Sequence, residues 1–265
     1  MKISVAIPTF NSSKYLTPNL NNLIKTNLIS EIVIRDDCSN YKDIELADKI
    51  IKAFKKKTKI DIRYFQNKKN LGAFANKLEV IKDCRQEYVY QLDSDNIPMN
   101  NINNYLDRFN KYPRDSSLLY LPSKIFQFRN YQNISKILSH VDKKYIVRYR
   151  KDDFIFDKVM IQDSIKKKKN YLIDKNIRWI LNSGNFIVSR DSFLRTISEG
   201  TKINRNILTL DAVVISYLWL KDNKRIKIDK NLYHFHRKRT DSVSFTEKAH
   251  YESAIEYLEN KILDL

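Results

Sequence analysis

Tyr88-Val89-Tyr90-Gln91-Leu92-Asp93-Ser94-Asp95 is the stretch on which the reading of this chain turns. Tyr88 to Leu92 has the aromatic and β-branched character of a short buried strand. It runs without a break into two carboxylates separated by one residue. Carboxylates so placed at a strand end can face one cleft together. They suit a hard divalent cation, which takes oxygen ligands and can share them with a diphosphate. A polar turn whose aspartate caps the next helix would use the same residues. The place of this strand in the chain separates the two readings.

Working back toward the N-terminus, the pattern alternates. Ile3 to Ile7 is a short apolar run ended by Pro8, a buried strand. Leu16, Leu20, Leu23, Ile24 and Leu28 recur at helical spacing. Glu31 to Arg35 predicts a second strand, and 43–56 a helix with Ile44, Ala47, Ile51 and Phe54 on one side. Ile60 to Phe65 predicts a third strand. Leu71, Phe74, Ala75, Leu78 and Ile81 mark a third helix. Tyr88 to Leu92 is therefore a fourth strand in a βαβ series, which implies right-handed crossovers and a mainly parallel sheet. Open sheets of this kind bind ligands beyond the carboxyl ends of their strands. Pro8-Thr9-Phe10-Asn11, Asp36-Asp37-Cys38-Ser39 and Asp93-Ser94-Asp95 should then converge on one edge.

Working forward, the pattern loosens. Residues 98–111 predict a helix and Leu118 to Leu121 a strand. The stretch 123–176 is rich in charge and aromatics and has no clear period. Trp179 to Val188 predicts a strand and turn around Asn182-Ser183-Gly184-Asn185. Helices are expected over 209–221 and 246–263. The organisation expected is a βαβ half over 1–100, a second half of the same domain over 101–245, and a terminal helix over 246–265.

Composition narrows the chemistry. The 265 residues include three glycines, Gly72, Gly184 and Gly200, where average usage gives roughly 18. No Gly-rich phosphate cradle or dinucleotide fingerprint exists. A nucleotide bound here must be held by other means. Gly200 is expected to end a helix. The 49 Lys and Arg residues outnumber 31 Asp and Glu, giving a formal net charge of +18. Such a field favours polyanions or an anionic membrane surface, although a drift toward Lys, Asn and Ile would also produce it. Two cysteines, Cys38 and Cys84, make neither a metal site nor a disulfide framework, so a reducing, cytoplasmic location is expected. Met1 to Ile7 enters a strand directly, so no signal peptide is expected. No apolar run reaches the ~20 residues of a membrane span.

The order of motifs resembles a family 2 glycosyltransferase of the GT-A fold. The family's strand followed by I-P-T-[YF]-N appears as Ile7 to Asn11, its V-D-D-G-S as Arg35 to Ser39, and its N-x-G element as Asn70 to Asn76. Asp93-Ser94-Asp95 follows as its D-x-D. Two positions depart: Cys38 stands where glycine is usual, and Ala75 where arginine is usual, with Lys77 close by. The resemblance implies an α/β, Rossmann-like, mainly parallel sheet flanked by helices, with an irregular acceptor-side C-terminal half. It implies nucleotide contacts from Pro8, Thr9, Phe10, Asp37, Asn70, Gly72, Asn76 and Ser94, with Asp37 accepting from the uracil N–H.

Later segments resemble the family more loosely. Ser183, Gly184 and Asn185 would meet donor and acceptor sugar, Gly184 by close backbone approach. Trp179 would stack on a sugar or fill the core. Asp211, at the head of an apolar helix, would be the general base or would simply complement the helix dipole. Tyr233 to His236 alternates, putting both histidines on one strand face. His236 would join Asp93 and Asp95 as a metal ligand, and Arg237 and Arg239 would clasp the diphosphate, unless this is only a basic loop.

The function implied is metal-dependent, inverting transfer of a sugar from a nucleotide-diphosphate donor, UDP-linked, to a hydroxyl of a glycan or lipid-linked acceptor, with Mn²⁺ or Mg²⁺. The basic surface would suit the inner face of an anionic membrane. Two alternatives stand beside it. A sugar nucleotidyltransferase needs a Gly-rich loop that is absent. A nucleic-acid-binding protein would draw on the +18 charge, but no helix-turn-helix, zinc module or RNP-like motif is present, so no nucleic-acid partner is expected.

Overall fold

The computed structural model describes residues 1–99, 101–111, 114–128, 146–148, 152–166, 184–202, 211–237, 256–257 and 259–265. The expected first half is there. β1 (Ile3–Thr9), α1 (Leu16–Leu23), β2 (Ile29–Asp36), α2 (Tyr41–Lys55), β3 (Asp61–Gln66), α3 (Ala73–Lys82) and β4 (Tyr88–Gln91) follow one another. A 3₁₀ turn, Ser13–Tyr15, leads into α1. Next come β5 (Ile97–Pro98), α4 (Ile102–Lys111), β6 (Leu118–Phe128), β7 (Ile146–Arg148), β8 (Phe154–Phe156), α5 (Lys158–Lys166), β9 (Phe186–Ser189), α6 (Arg190–Ile197), α7 (Asp211–Lys221) and β10 (Arg225–Arg237).

The strands form one sheet in the order β3-β2-β1-β4-β9-β6-β10-β5, with β7 on β6 and β8 on β10. β1, β2, β3 and β4 pair in parallel. β9 runs antiparallel to both β4 and β6, and β10 is parallel to β6. Six strands therefore point one way and β9 points back among them. The consequence for the site is direct. The carboxyl ends of β1, β2, β4 and β10 share an edge with the beginning of β9. Helices that follow or precede these strands also start at that edge, which brings in α3 and α7.

Alternation along each strand feeds two cores. Val5, Ile7, Ile32, Ile34, Tyr88 and Tyr90 pack with α1, α2 and α4. Ala6, Val33, Val89, Phe186 and Val188 pack with α3, α6 and α7. The sheet is thus covered on both faces, which is why its strands read as apolar runs rather than half-polar ones. Trp219 on α7 is fully buried, and its indole N–H donates to the Arg225 carbonyl at 2.9 Å, tying the helix to the start of β10.

Several expectations are revised. β6 runs on to Phe128, and β7, β8 and α5 lie in the stretch that showed no period. These strands are short edge partners of β6 and β10, so their pattern is set by neighbours far along the chain. Tyr233 to His236 is the end of a strand of 13 residues, β10, with a register shift between Asp229 and Tyr233. Gly200 follows α6 in a 3₁₀ turn, but its reason is packing. A Cβ there would overlap Phe74 Cζ and stand 2.6 Å from Leu218 Cδ1, so the glycine lets that turn close on α3 and α7. The cap of α2 is Asn40, whose side chain accepts from the Asp43 N–H at 3.0 Å.

Candidate active site

Three chain segments meet at the carboxyl edge. The β1 end and the D-x-D turn are joined by a chain of hydroxyls. Thr9 Oγ1 lies 2.8 Å from Ser12 Oγ, which lies 2.7 Å from Ser94 Oγ. The Asn19 amide adds a 2.8 Å bond to the Ser94 carbonyl. Pro8, Thr9 and Ser94 are buried, whereas Phe10 stands 47% exposed beside them. This arrangement offers a fixed floor and one open aromatic face.

The β2 end builds the second wall. Buried Asp36 accepts from the Ser39 N–H at 2.9 Å and from the Ser39 hydroxyl, closing a tight turn. Burial raises its carboxyl, and the two Ser39 bonds work against that rise. Cys38, inside this turn, has φ of 65°. An L-residue there costs ~1–2 kcal/mol that glycine avoids, which explains the family's usual glycine. Asp37 is also buried. It accepts from the Asn67 amide and the Leu71 N–H, both at 2.8 Å, and from the Gly72 N–H at 2.8 Å. Asp37 thus fixes the 67–72 loop. Gly72, at φ of 88°, is the residue that lets this loop turn into α3. Asn70 lies exposed on the same loop and accepts from the Gly72 N–H at 3.0 Å. Asn76 is directed inward: its amide donates to the Arg35 carbonyl at 3.1 Å, and its Oδ1 accepts from Asn67 at 3.1 Å.

The third segment is the D-x-D turn itself. No helix starts on it; α4 begins at Ile102, so neither aspartate is a helix cap. The β4–β9 register pairs Gln91 with Phe186, and continuing it sets Asp93 opposite Gly184. The Asp93 N–H donates to Asn185 Oδ1 at 2.8 Å. A Cβ on Gly184 would overlap Asp93 Oδ2. The glycine therefore leaves room for the aspartate's carboxylate in this position.

Lys77, in the second turn of α3, joins this turn to α7. Its ammonium lies 2.9 Å from Asp93 Oδ1 and pairs with Asp211 Oδ2. The lysine is only 4% exposed. Burial alone would lower its pKa, but the Asp211 and Asp93 carboxylates outweigh burial and hold it above the ordinary lysine value. Asp211 is the first residue of α7. One ammonium thus ties together the two carboxylates read from sequence as metal ligand and base. Sequence reasoning noted Lys77 only as a near neighbour of a substituted arginine. Its place five residues after the loop glycine, in the second turn of the helix, was the signal available.

Arg237 arrives from the end of β10. Its N–H donates to Asn96 Oδ1 and its Nε to the Asp95 carbonyl, both at 3.3 Å. Its guanidinium stacks 4.5 Å from the Tyr15 ring. The β5–β10 pairing, Phe235 with Ile97, makes this approach. His234 and His236 do share a strand face, with ring centroids 6.2 Å apart. His234 is buried, and burial, reinforced by His236, pulls its pKa down to about 3, so it is neutral at neutral pH. Trp179, Ser183 and Arg239 lie outside the described residues.

Among the described residues, no group of three or more His, Cys, Asp or Glu side chains stands where it could hold a metal. The expected ligands Asp93, Asp95 and His236 therefore do not stand together as one set, although a cation of the Mg²⁺ type is commonly held by only one or two carboxylates plus substrate phosphates. Also among the described residues, no helix is long and apolar enough to cross a membrane.

Known proteins place this geometry. Residues 4–195 match the family model described as Glycosyl transferase family 2. The poly(ribitol-phosphate) beta-N-acetylglucosaminyltransferase TarS of Staphylococcus aureus is 33% identical over 99 residues, 36% of this chain and 16% of that protein. An uncharacterized glycosyltransferase of Mycoplasma genitalium is 32% identical over 102 residues, 37% of this chain and 33% of that one. The chain thus matches a third or less of the length of either relative. In three dimensions it resembles the crystal structure of TarS residues 1–349, with a TM-score of 0.62 at 17% identity, covering 99% of this chain and 66% of that one. The same fragment in complex with UDP-GlcNAc gives 0.59 at 17% identity, over 99% and 70%. GalNAc-T7 with UDP, GalNAc and Mn²⁺ gives 0.58 at 16% identity, over 91% and 44%. The curled, mainly parallel sheet is that of these enzymes. With the family model matched over most of its length, and its motifs gathered at one sheet edge, this chain belongs to glycosyltransferase family 2, enzymes that transfer sugars.

Proposed function

We propose that this chain transfers a sugar from a UDP-linked donor to a hydroxyl of a glycan or lipid-linked acceptor, with inversion, by single displacement. The observation that carries the reading is the convergence of Asp93 and Asp211 on one Lys77 ammonium, beside Arg237 and the D-x-D turn. The TarS fragment was crystallised with UDP and with UDP-GlcNAc, which supports a UDP-N-acetylhexosamine as the first donor to try.

In this reading, Phe10 and the Pro8–Thr9 floor receive the base. Three N–H groups already converge on Asp37, and a carboxylate has about four acceptor sites; the uracil imide N–H takes the last. Asn70, Gly72, Asn76 and Ser94 shape the ribose and diphosphate wall. Asp93 and Asp95, with His236 as a further proposed ligand, would hold a divalent cation, which offsets charge on the departing diphosphate when bound. Arg237, with Arg239, pairs with the same phosphates. Gly184, Ser183, Asn185 and Trp179 border the sugars. Asp211 takes the proton of the acceptor hydroxyl as it attacks the anomeric carbon.

A thermal-shift series tests the donor half. At about 100-fold excess over Kd, ligand binding stabilises by ~2.7 kcal/mol, and ~1 kcal/mol moves Tm by about 2–4 °C at this size. UDP or UDP-GlcNAc with Mn²⁺ should therefore raise Tm by roughly 5–10 °C. No shift with any uridine nucleotide would sink the assignment. The charge of +18 further supports docking on an anionic leaflet, near lipid-linked acceptors. Co-sedimentation should favour vesicles containing anionic lipid over neutral ones, and equal binding to both would remove that part.

A further inference from the structure

Lys77 is a buried cation at the place where the site has its carboxylates. Four pieces of the fold enclose it: the second turn of α3, the end of β4, the Gly184 turn and the first residue of α7. Its Nζ is 2.9 Å from Asp93 Oδ1 and in contact with Asp211 Oδ2. A Cβ on Gly184 would come within 3.2 Å of it. One ammonium thus holds both Asp93, a carboxylate of the D-x-D turn, and Asp211, the carboxylate at the head of α7.

Resting on the reading that the cleft takes a nucleoside diphosphate with a divalent cation, we infer that Lys77 keeps the protein from binding that cation until the nucleotide arrives. Lys77 is a positioning residue in this account. It pairs with Asp93 and Asp211, cancels one of their two negative charges and repels a dication placed beside them. A phosphate pair supplies the further oxygen ligands that the described residues do not gather by themselves, so cation uptake becomes dependent on the donor. Two facts support this ordering. Among the described residues no protein-only cluster of metal ligands exists. The lysine is also almost fully enclosed, so its ammonium cannot swing into solvent without moving α3, α7 or the Gly184 turn.

The test is a titration of the protein with Mn²⁺, following free Mn²⁺ by its paramagnetic resonance signal, with and without UDP. UDP binding is measured separately by calorimetry. Wild type should take up Mn²⁺ only when UDP is present. Lys77→Met and Lys77→Gln leave two uncompensated carboxylates facing one another. Both should bind Mn²⁺ without nucleotide at least about tenfold more tightly than wild type, since affinity follows ligand charge. Lys77→Arg keeps the cation and should behave as wild type. Wild type that binds Mn²⁺ stoichiometrically without UDP overturns the inference whether or not the variants fold. So does a folded Lys77→Gln that gains no affinity. If UDP itself fails to bind, with or without Mn²⁺, the donor reading falls instead, and the calorimetric arm tells the two failures apart.

Discussion

Asp211→Asn is expected to lower kcat by ~10²–10⁴-fold, the range that a positioned general base supplies. The amide is nearly the same shape but cannot take the acceptor's proton. Asp211 stands at the head of α7 and pairs with Lys77, and it is not among the groups that Asp37 bonds. UDP affinity should therefore hold within about threefold, which is under ~1 kcal/mol. Stability should fall by no more than about 2 kcal/mol, because Lys77 keeps Asp93 and the amide oxygen still accepts from it. The measurement is UDP release from the donor picked by thermal shift, alongside a melting curve. A variant that keeps more than about a tenth of wild-type turnover would remove Asp211 as base.

Gly184→Ala should be nearly as damaging, for a steric reason. The added Cβ overlaps Asp93 Oδ2 and comes 3.2 Å from Lys77 Nζ. Either the Asp93 carboxylate swings away or the β9 turn retreats from β4. A misplacement of ~1 Å in such a constellation costs about 100-fold in rate. The overpacking should also remove ~1–3 kcal/mol of stability, read as a melting temperature lower by roughly 2–12 °C. Near-normal turnover with an unchanged melting curve would show that the close approach is dispensable.

How much of this was open to a reader of the sequence differs along the chain. β1 to β4 and their helices were legible because each buries its apolar residues in a regular period, and because two layers of helix cover the sheet. The D-x-D, the Asp36-Asp37 turn and Gly72 were legible as motif positions at strand ends. Cys38 was legible as an oddity, and its φ of 65° supplies the reason. The edge strands β7 and β8 were not legible. Three-residue strands carry no period of their own, and their partners lie in β6 and β10. Gly200 was misjudged as a helix terminator because a close approach to Phe74 and Leu218 leaves no local trace.

The sequence by itself determined the fold class, the sheet edge at which the motifs gather, and the residue types waiting there. Those follow from local periodicity and from the parallel connection rule, which act over one βαβ unit. Only the tertiary structure decided which of those residues touch. The reversal of β9 puts Gly184 against Asp93, and the shared start of α3 and α7 at that edge lets Lys77 reach both Asp93 and Asp211. The physical reason is that an ion pair forms wherever packing brings opposite charges together, and packing across a sheet is set by strand order, which no spacing along the chain encodes.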